Sequence, residues 1–222
     1  MIFLNNLTNE EKVLKYYFAN VKLKELVRTG WINWKVSRDR LESVAEHIYG
    51  TEQLAIAMIK VYNYDIDYQK LVCMLTIHEI GEIVIGDIAF GSSVTPEEKK
   101  EREFAAVKEI VDYIGFDEIL DLYIEFEERK TKEARFARWI DKLECDLMSK
   151  YYDEPGAVDL NDQSDNESAQ VPIVQKYLSD KMSWSDMWMK IGQDIYGYDE
   201  NFMSVSKYAM ENGISRFKRY NK

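Results

Sequence analysis

Apolar residues recur along this chain at spacings of three and four, and strict alternation is short or absent, so the pattern predicts helices almost throughout. A first helix is expected over about Asn9 to Val27, with Val13, Tyr16, Tyr17 and Leu23 among its apolar positions. Arg28-Thr29-Gly30-Trp31-Ile32-Asn33-Trp34-Lys35 interrupts the pattern and reads as a loop rich in aromatic and basic residues. Ser43-Val44-Ala45-Glu46 has the capping-box form, in which the Ser hydroxyl and the Glu carboxylate each satisfy a backbone N–H left free by the first turn; it opens a helix to about Val61. Asp67 caps the next helix, which runs through Leu71, Val72, Met74 and Leu75 to His78, and Gly86-Asp87 marks a break. Thr95-Pro96-Glu97-Glu98 starts another helix, which reaches about Ile114 and is stopped by Gly115. Two more follow, over Asp117 to Arg129 and from the cap Thr131 through Phe136, Ile140, Leu143 and Leu147.

Beyond these the pattern weakens. Asp159 to Ser168 is polar and acidic and reads as a loop or mobile linker. Ala169 to Lys222 has fainter helical spacing and many aromatics, among them Trp184, Trp188, Tyr196 and Tyr198. The expected organisation is all-α: a main bundle over residues 1–158, an acidic loop over 159–168, and a helical extension over 169–222 packed on the same domain.

Composition narrows the function classes. With 222 residues, 46% of them hydrophobic and 31% charged, the chain can bury one large core without staples. No apolar run approaches the roughly 20 residues of a membrane span. Met1 to Glu10 carries no basic region followed by an apolar block, so no secretory leader is expected. The only two cysteines, Cys73 and Cys145, are far apart and outside any Cys-x-x-Cys, which favours a reducing cytoplasm over a disulfide framework. A net charge of −11 with no long basic run disfavours DNA or RNA as a partner. A single nucleotide stays compatible, since one metal ion and one or two cations hold one phosphate.

The chain has only two histidines, and both stand beside carboxylates. His47 lies one turn into its helix; His78 is followed by Glu79, with Glu82 four residues on, on one helical face, and Asp87 after the Gly86 break. Antiparallel packing of the two helices would bring the histidines together. Asp141 lies on the apolar side of its helix, near Ala137 and Ile140, where a carboxylate needs a cation or several hydrogen bonds. His47, His78, Glu79 and Asp141 thus form a candidate mixed nitrogen–oxygen site suited to Mn²⁺, Fe²⁺, Co²⁺ or Zn²⁺ better than Ca²⁺. Taken singly, Asp141 also reads as a buried partner of Arg138 or Lys142, Lys142 as a solvated lysine or a screen for the site's negative charge, and Trp31 and Trp34 as packing residues, with base stacking as the alternative for both.

Arg28-Thr29-Gly30-Trp31, Glu42-Ser43-Val44-Ala45-Glu46-His47, His78-Glu79-Ile80-Gly81-Glu82, Gly86-Asp87, Thr95-Pro96-Glu97-Glu98-Lys99-Lys100 and Asp141-Lys142-Leu143-Glu144 carry a resemblance. In order and spacing, from about Leu23 to Tyr152, the chain resembles the HD-domain superfamily of metal-dependent phosphohydrolases, and within it the 5′-deoxynucleotidase branch. Glu79 departs from the family's His-Asp doublet by one methylene. The resemblance implies hydrolysis of (deoxy)nucleoside 5′-monophosphates with a divalent ion (Mn, Co, Fe, Zn or Mg), and a homodimer. It implies that Glu82 and Asp87 are catalytic, Glu82 polarising a water and Asp87 orienting it or serving the leaving 5′-oxygen. Arg28 is expected on the phosphate or sugar, with Thr29 and Trp31 beside it as substrate-binding residues. Thr29 stands where some bacterial members have a sugar-reading Trp, so no deoxyribose preference is carried over. Two alternatives remain open: a phosphohydrolase for another small ester, and a catalytically weak nucleotide or metal sensor or scaffold.

Overall fold

The computed structural model describes residues 7–153, 155–180 and 182–217, without the side chains of Ser215 and Arg216. Residues 1–6 of the stretch considered for a leader, residue 154 of the bundle, and residues 181 and 218–222 of the extension lie outside it. Among the described residues the architecture is all-α, and the one β feature is an isolated antiparallel bridge between Val27 and Ser43.

Local chemistry sets most helix starts. Helix α1 (Asn9–Glu25) opens on a capping box between Thr8 and Glu11. Helix α3 (Val44–Tyr62) opens on the Ser43–Glu46 box, and α4 (Tyr68–Ile77) on the Asp67 carboxylate. Helix α6 (Pro96–Ile114) opens on Thr95–Glu98 with Pro96 in its first turn and ends at Gly115, left-handed at φ 75°. Helices α7 (Asp117–Glu128) and α8 (Lys132–Tyr152) follow, with α8 capped by Thr131. Along α1, Leu23 is buried and Tyr16 packs inward, whereas Val13 and Tyr17 are exposed, so its inner face is narrower than the sequence suggested.

The structure departs from the sequence pattern in three places. The expected loop 28–35 contains a short helix, α2 (Thr29–Asn33), with no side-chain cap. It is held from outside: Trp31 and Trp34 are buried, and the Val27–Ser43 bridge fixes its entry, with Arg28 N–H donating to the Glu42 carbonyl at 3.0 Å. His78 and Glu82 do not share one helix. Helix α4 stops at Ile77, a turn of tight i→i−3 bonds (Ile80 N to Ile77 O, Glu82 N to Glu79 O) intervenes, and Glu82 opens the single-turn α5 (Glu82–Ile85). Finally, 159–168 is docked rather than linker-like. Gln163, Asn166 and Ser168 are buried; Gln163 donates to the Trp34 carbonyl, Ser168 to the Phe90 carbonyl, and Glu167 accepts from Ser93 N–H at 2.7 Å. Gly91, at φ 74°, faces Ser168 and Val171 where a Cβ would have no room.

After a 3-10 turn at Glu167–Gln170 come α9 (Pro172–Ser179), α10 (Trp184–Ile195) and α11 (Glu200–Glu211). Helix α8 is central, packing against α3, α4, α7, α10 and α11. Its first half joins a core with Met58, Met74, Leu75, Phe126, Ile140 and Phe202; its last turn reaches a second, aromatic core of Trp31, Trp34, Tyr152 and Trp184. No helix of the described residues is long and apolar enough to cross a membrane.

Candidate metal centre and its cavity

The packing of α3, α4 and α8 brings His47, His78, Glu79 and Asp141 together, with one donor atom from each within 4.8 Å of all the others. The imidazole centroids are 5.5 Å apart. His47 Nε2 lies 3.3 Å from Asp141 Oδ1 and 3.9 Å from Glu79 Oε1, and His78 Nε2 lies 3.5 Å from Glu79 Oε1. Glu79 therefore reaches both rings despite its extra methylene.

Both rings are oriented by their other nitrogen. His78 Nδ1–H donates to the Leu75 carbonyl at 2.6 Å, and His47 Nδ1–H to Glu144 Oε2 at 2.5 Å. Each partner only accepts, so the hydrogen belongs on Nδ1 and the Nε2 lone pair points into the cluster. Asp141 is divided in the same way. Its Oδ2 takes Arg138 at 3.1 Å and Lys142 at 3.0 Å, while Oδ1 faces inward. The two readings of Asp141 thus coexist, one per oxygen, and Lys142 is an ion-paired wall residue rather than a solvated lysine.

His47 Nε2, His78 Nε2, Asp141 Oδ1 and Glu82 Oε2 are all buried without a hydrogen-bond partner among the described residues. The three of these that belong to the nitrogen–oxygen donor set converge, and such atoms would be costly to fold around nothing. The residues fit a divalent ion. Without an ion, burial and Arg28 oppose a charge on His47, but Glu144 and Asp141 outweigh them and raise the imidazole to about 9, so a cation at the cluster takes the place of a proton on Nε2; burial lowers His78. Burial, and then the Glu79 and Asp87 carboxylates, push Glu82 up to about 11.

A cavity of about 860 Å³ opens from this cluster. Glu82 and Asp87 line it beside Arg28, whose guanidinium also reaches Cys145 Sγ at 2.9 Å. Thr29 is not in the wall. Its N–H and hydroxyl bind the Asp87 carboxylate and carbonyl, the latter at 2.8 Å, pinning the loop after α5 to the start of α2. Trp31 lines the cavity but is buried, with its indole N–H on Glu42 at 3.0 Å and its ring edge-on to Tyr152 and Trp184.

Several residues of the site and its wall escaped the sequence reading. Glu144 orients His47, and Gly50 makes room for it, since a Cβ there would collide with Glu144 Oε1. Arg138, Cys145, Asp146 and Ser149 continue the stripe of α8 that carries Asp141 and Lys142. The signal was present: polar residues at 138, 141, 142, 145, 146 and 149 keep helical spacing opposite Phe136, Ile140 and Leu143.

Comparison with known proteins agrees with this geometry. An HD-domain family model matches residues 21–185. The chain is 33% identical over 149 residues to the 5′-deoxynucleotidase HDDC2 of Dictyostelium discoideum, covering 64% of this chain and 77% of the relative. It is 27% identical over 183 residues to the 5′-deoxynucleotidase hdd1 of Schizosaccharomyces pombe, covering 78% and 90%. Among solved structures it resembles a predicted metal-dependent phosphohydrolase from Magnetospirillum magnetotacticum MS-1, with a TM-score of 0.58 at 20% identity over 96% of this chain and 98% of that one. A family match over three quarters of the length, joined to a histidine–carboxylate cluster set where three helices meet, makes this chain a member of the HD-domain family.

Proposed function

We propose that the protein hydrolyses (deoxy)nucleoside 5′-monophosphates to nucleoside and phosphate, using a divalent ion held by His47, His78, Glu79 and Asp141. The observation that carries this reading is the convergence of orphaned buried donors at a cavity that Glu82 also lines and that is large enough for a nucleotide. Both relatives named above are 5′-deoxynucleotidases, which supports the substrate class. When bound, the ion supplies Lewis acidity to the phosphate ester and lowers the pKa of a water; the donor set suits Mn²⁺, Co²⁺, Fe²⁺ or Zn²⁺, with Mg²⁺ as a further candidate.

The chain's own groups do the rest. Glu82 Oε2, buried and free of other partners, takes the proton of the attacking water once the cluster's charge is balanced. Asp87, fixed by Thr29, serves the proton of the leaving 5′-oxygen. Arg28 is kept charged against its burial by Cys145, Asp87, Glu42 and Glu79, and offers a planar fork to the phosphate. A homodimer and a cytoplasmic setting belong to the same reading, the first by resemblance and the second from the free thiols of Cys73 and Cys145.

The test is phosphate release from a panel of 5′-monophosphates crossed with metals. Release from dAMP or dGMP with Mn²⁺ or Co²⁺ is expected, and no release from any 5′-monophosphate with any metal would sink the reading. In the same assay, His78→Ala should lose bound metal by elemental analysis. Glu82→Gln should keep the metal while kcat falls about a hundred- to ten-thousand-fold.

A further inference from the structure

The cavity is not uniform. At the metal end its wall is charged. Elsewhere its wall is aromatic: Trp31, Trp34, Phe90 and Trp188 line it, and behind them Tyr152 meets Trp31 edge-on at 5.3 Å. Trp34 and Trp188 are edge-on at 5.8 Å, as are Trp188 and Phe90. Trp34 is buried and belongs to the core, but Trp188 is only partly buried and Phe90 is 42% exposed, and both line the cavity. An aromatic ring left open inside a concave wall has unspent stacking surface, unlike one packed in a core.

The geometry points to Phe90 and Trp188 as the residues that hold the nucleobase, with substrate selectivity set at this aromatic end. This rests on the nucleotidase reading. Phe90 and Trp188 line the same cavity of about 860 Å³ as His78, Glu79 and Asp141, so the phosphate and the base of one bound nucleotide share it. Both residues are delivered by segments that the structure fixes. Phe90 lies in the loop after α5, which is tied down by Ser168 on its carbonyl and by the close approach of Gly91 to Val171. Trp188 comes from α10, which packs on α8, and it lies beyond residue 185, where the HD-domain match ends. The base site is thus built partly from this chain's own extension. Aromatic stacking accepts any base, since each has a π face, so the selection it imposes is for nucleotides over sugar phosphates.

The experiment compares kcat/KM of the full-length protein for dAMP and for 2-deoxyribose 5-phosphate, which lacks the base, in wild type, Phe90→Ala, Trp188→Ala and Trp188→Phe. Both alanine variants should lower the ratio of the two values about tenfold or more, chiefly through KM for dAMP, and Trp188→Phe should restore most of it. Calorimetric binding of deoxyadenosine to the chelator-treated protein should weaken in the same order. Phe90→Ala tests the idea even if Trp188→Ala fails to fold, because Phe90 is half exposed in a loop. An unchanged ratio in Phe90→Ala, or a loss equal for both substrates, overturns the proposal and leaves the nucleotidase reading standing. Absence of any 5′-monophosphate hydrolysis in the wild type overturns both.

Discussion

His47 and His78 stand out as single residues because each has both nitrogens committed to opposite sides, one to a fixed acceptor and one to the cluster. That these two residues mattered was legible from their scarcity and their carboxylate neighbours. The role of Glu144 was not, because nothing in a sequence tells a carboxylate under an imidazole from one on a surface. Asp146 makes the same point with a measurable consequence. It is buried between α8 and α10, with Tyr198 at 3.4 Å and Gly192 so close that a Cβ there would meet its Oδ2. Burial raises its carboxyl well above the ordinary range, with Asp141 and Glu144 adding to the effect and Lys142 opposing it. The folded state therefore prefers the neutral acid. Stability from this group is fully present below the unfolded carboxyl's pKa of about 3.9 and is lost as pH rises toward the folded value. Asp146→Asn should raise Tm by a few degrees at pH 7 to 8, and thermal scans should show the gap closing toward pH 4. A gap independent of pH would show that the carboxyl ionises freely in the fold.

At the scale of elements, the helix starts were readable because their chemistry is local: Ser43 with Glu46, Thr95 with Pro96 and Glu98, Asp67 and Thr131 each cap within one turn. What failed to show was structure imposed from a distance. Helix α2 exists because Trp31 and Trp34 are buried, and the acidic segment is docked because Gln163 and Ser168 reach backbone carbonyls 129 and 78 residues away. Helix α3 offers a test of such coupling. Gly50 has ordinary helical backbone, so Gly50→Ala should not strain the helix and should gain helix propensity. Its Cβ would displace Glu144 from His47. Metal affinity should fall about 10- to 100-fold by competition with a chromophoric chelator, with Tm of the metal-free protein unchanged or higher. Unaltered affinity would mean that Glu144 does not orient the imidazole.

For the whole molecule, the metal cluster is a junction. Its ligands come from α3, the end of α4 and α8, so an ion there adds a common tie between helices that otherwise meet through side-chain packing and single hydrogen bonds such as His47–Glu144 and Thr76–Glu52. Binding to the folded state alone stabilises it by mass action: about 2.7 kcal/mol at a free concentration one hundred times Kd. Tm should rise with added Mn²⁺ or Co²⁺ and fall on chelation, and His78→Ala should abolish that response. A Tm indifferent to metal in the wild type would argue against the site. The all-α class and the four clustered residues were legible because both rest on spacing. The cavity was not, since its walls come from α2, the loop after α5, α6, α8 and α10, far apart in sequence.

The polar stripe of α8 also bears on how this protein can change. Positions 138, 141, 142, 145, 146 and 149 face the cavity only because each helical residue turns the chain by about 100°. Inserting or deleting one residue between Asp141 and Ser149 would rotate everything beyond it off the cavity and drive Phe136-side apolar positions into its place. Exchanging one side chain there leaves the direction of the others unchanged, but the length of the segment is locked. Variation in the reach between charged and aromatic ends must come from the loop after α5 or from the helices that follow α8, where a residue can be gained without turning a wall away from what it encloses.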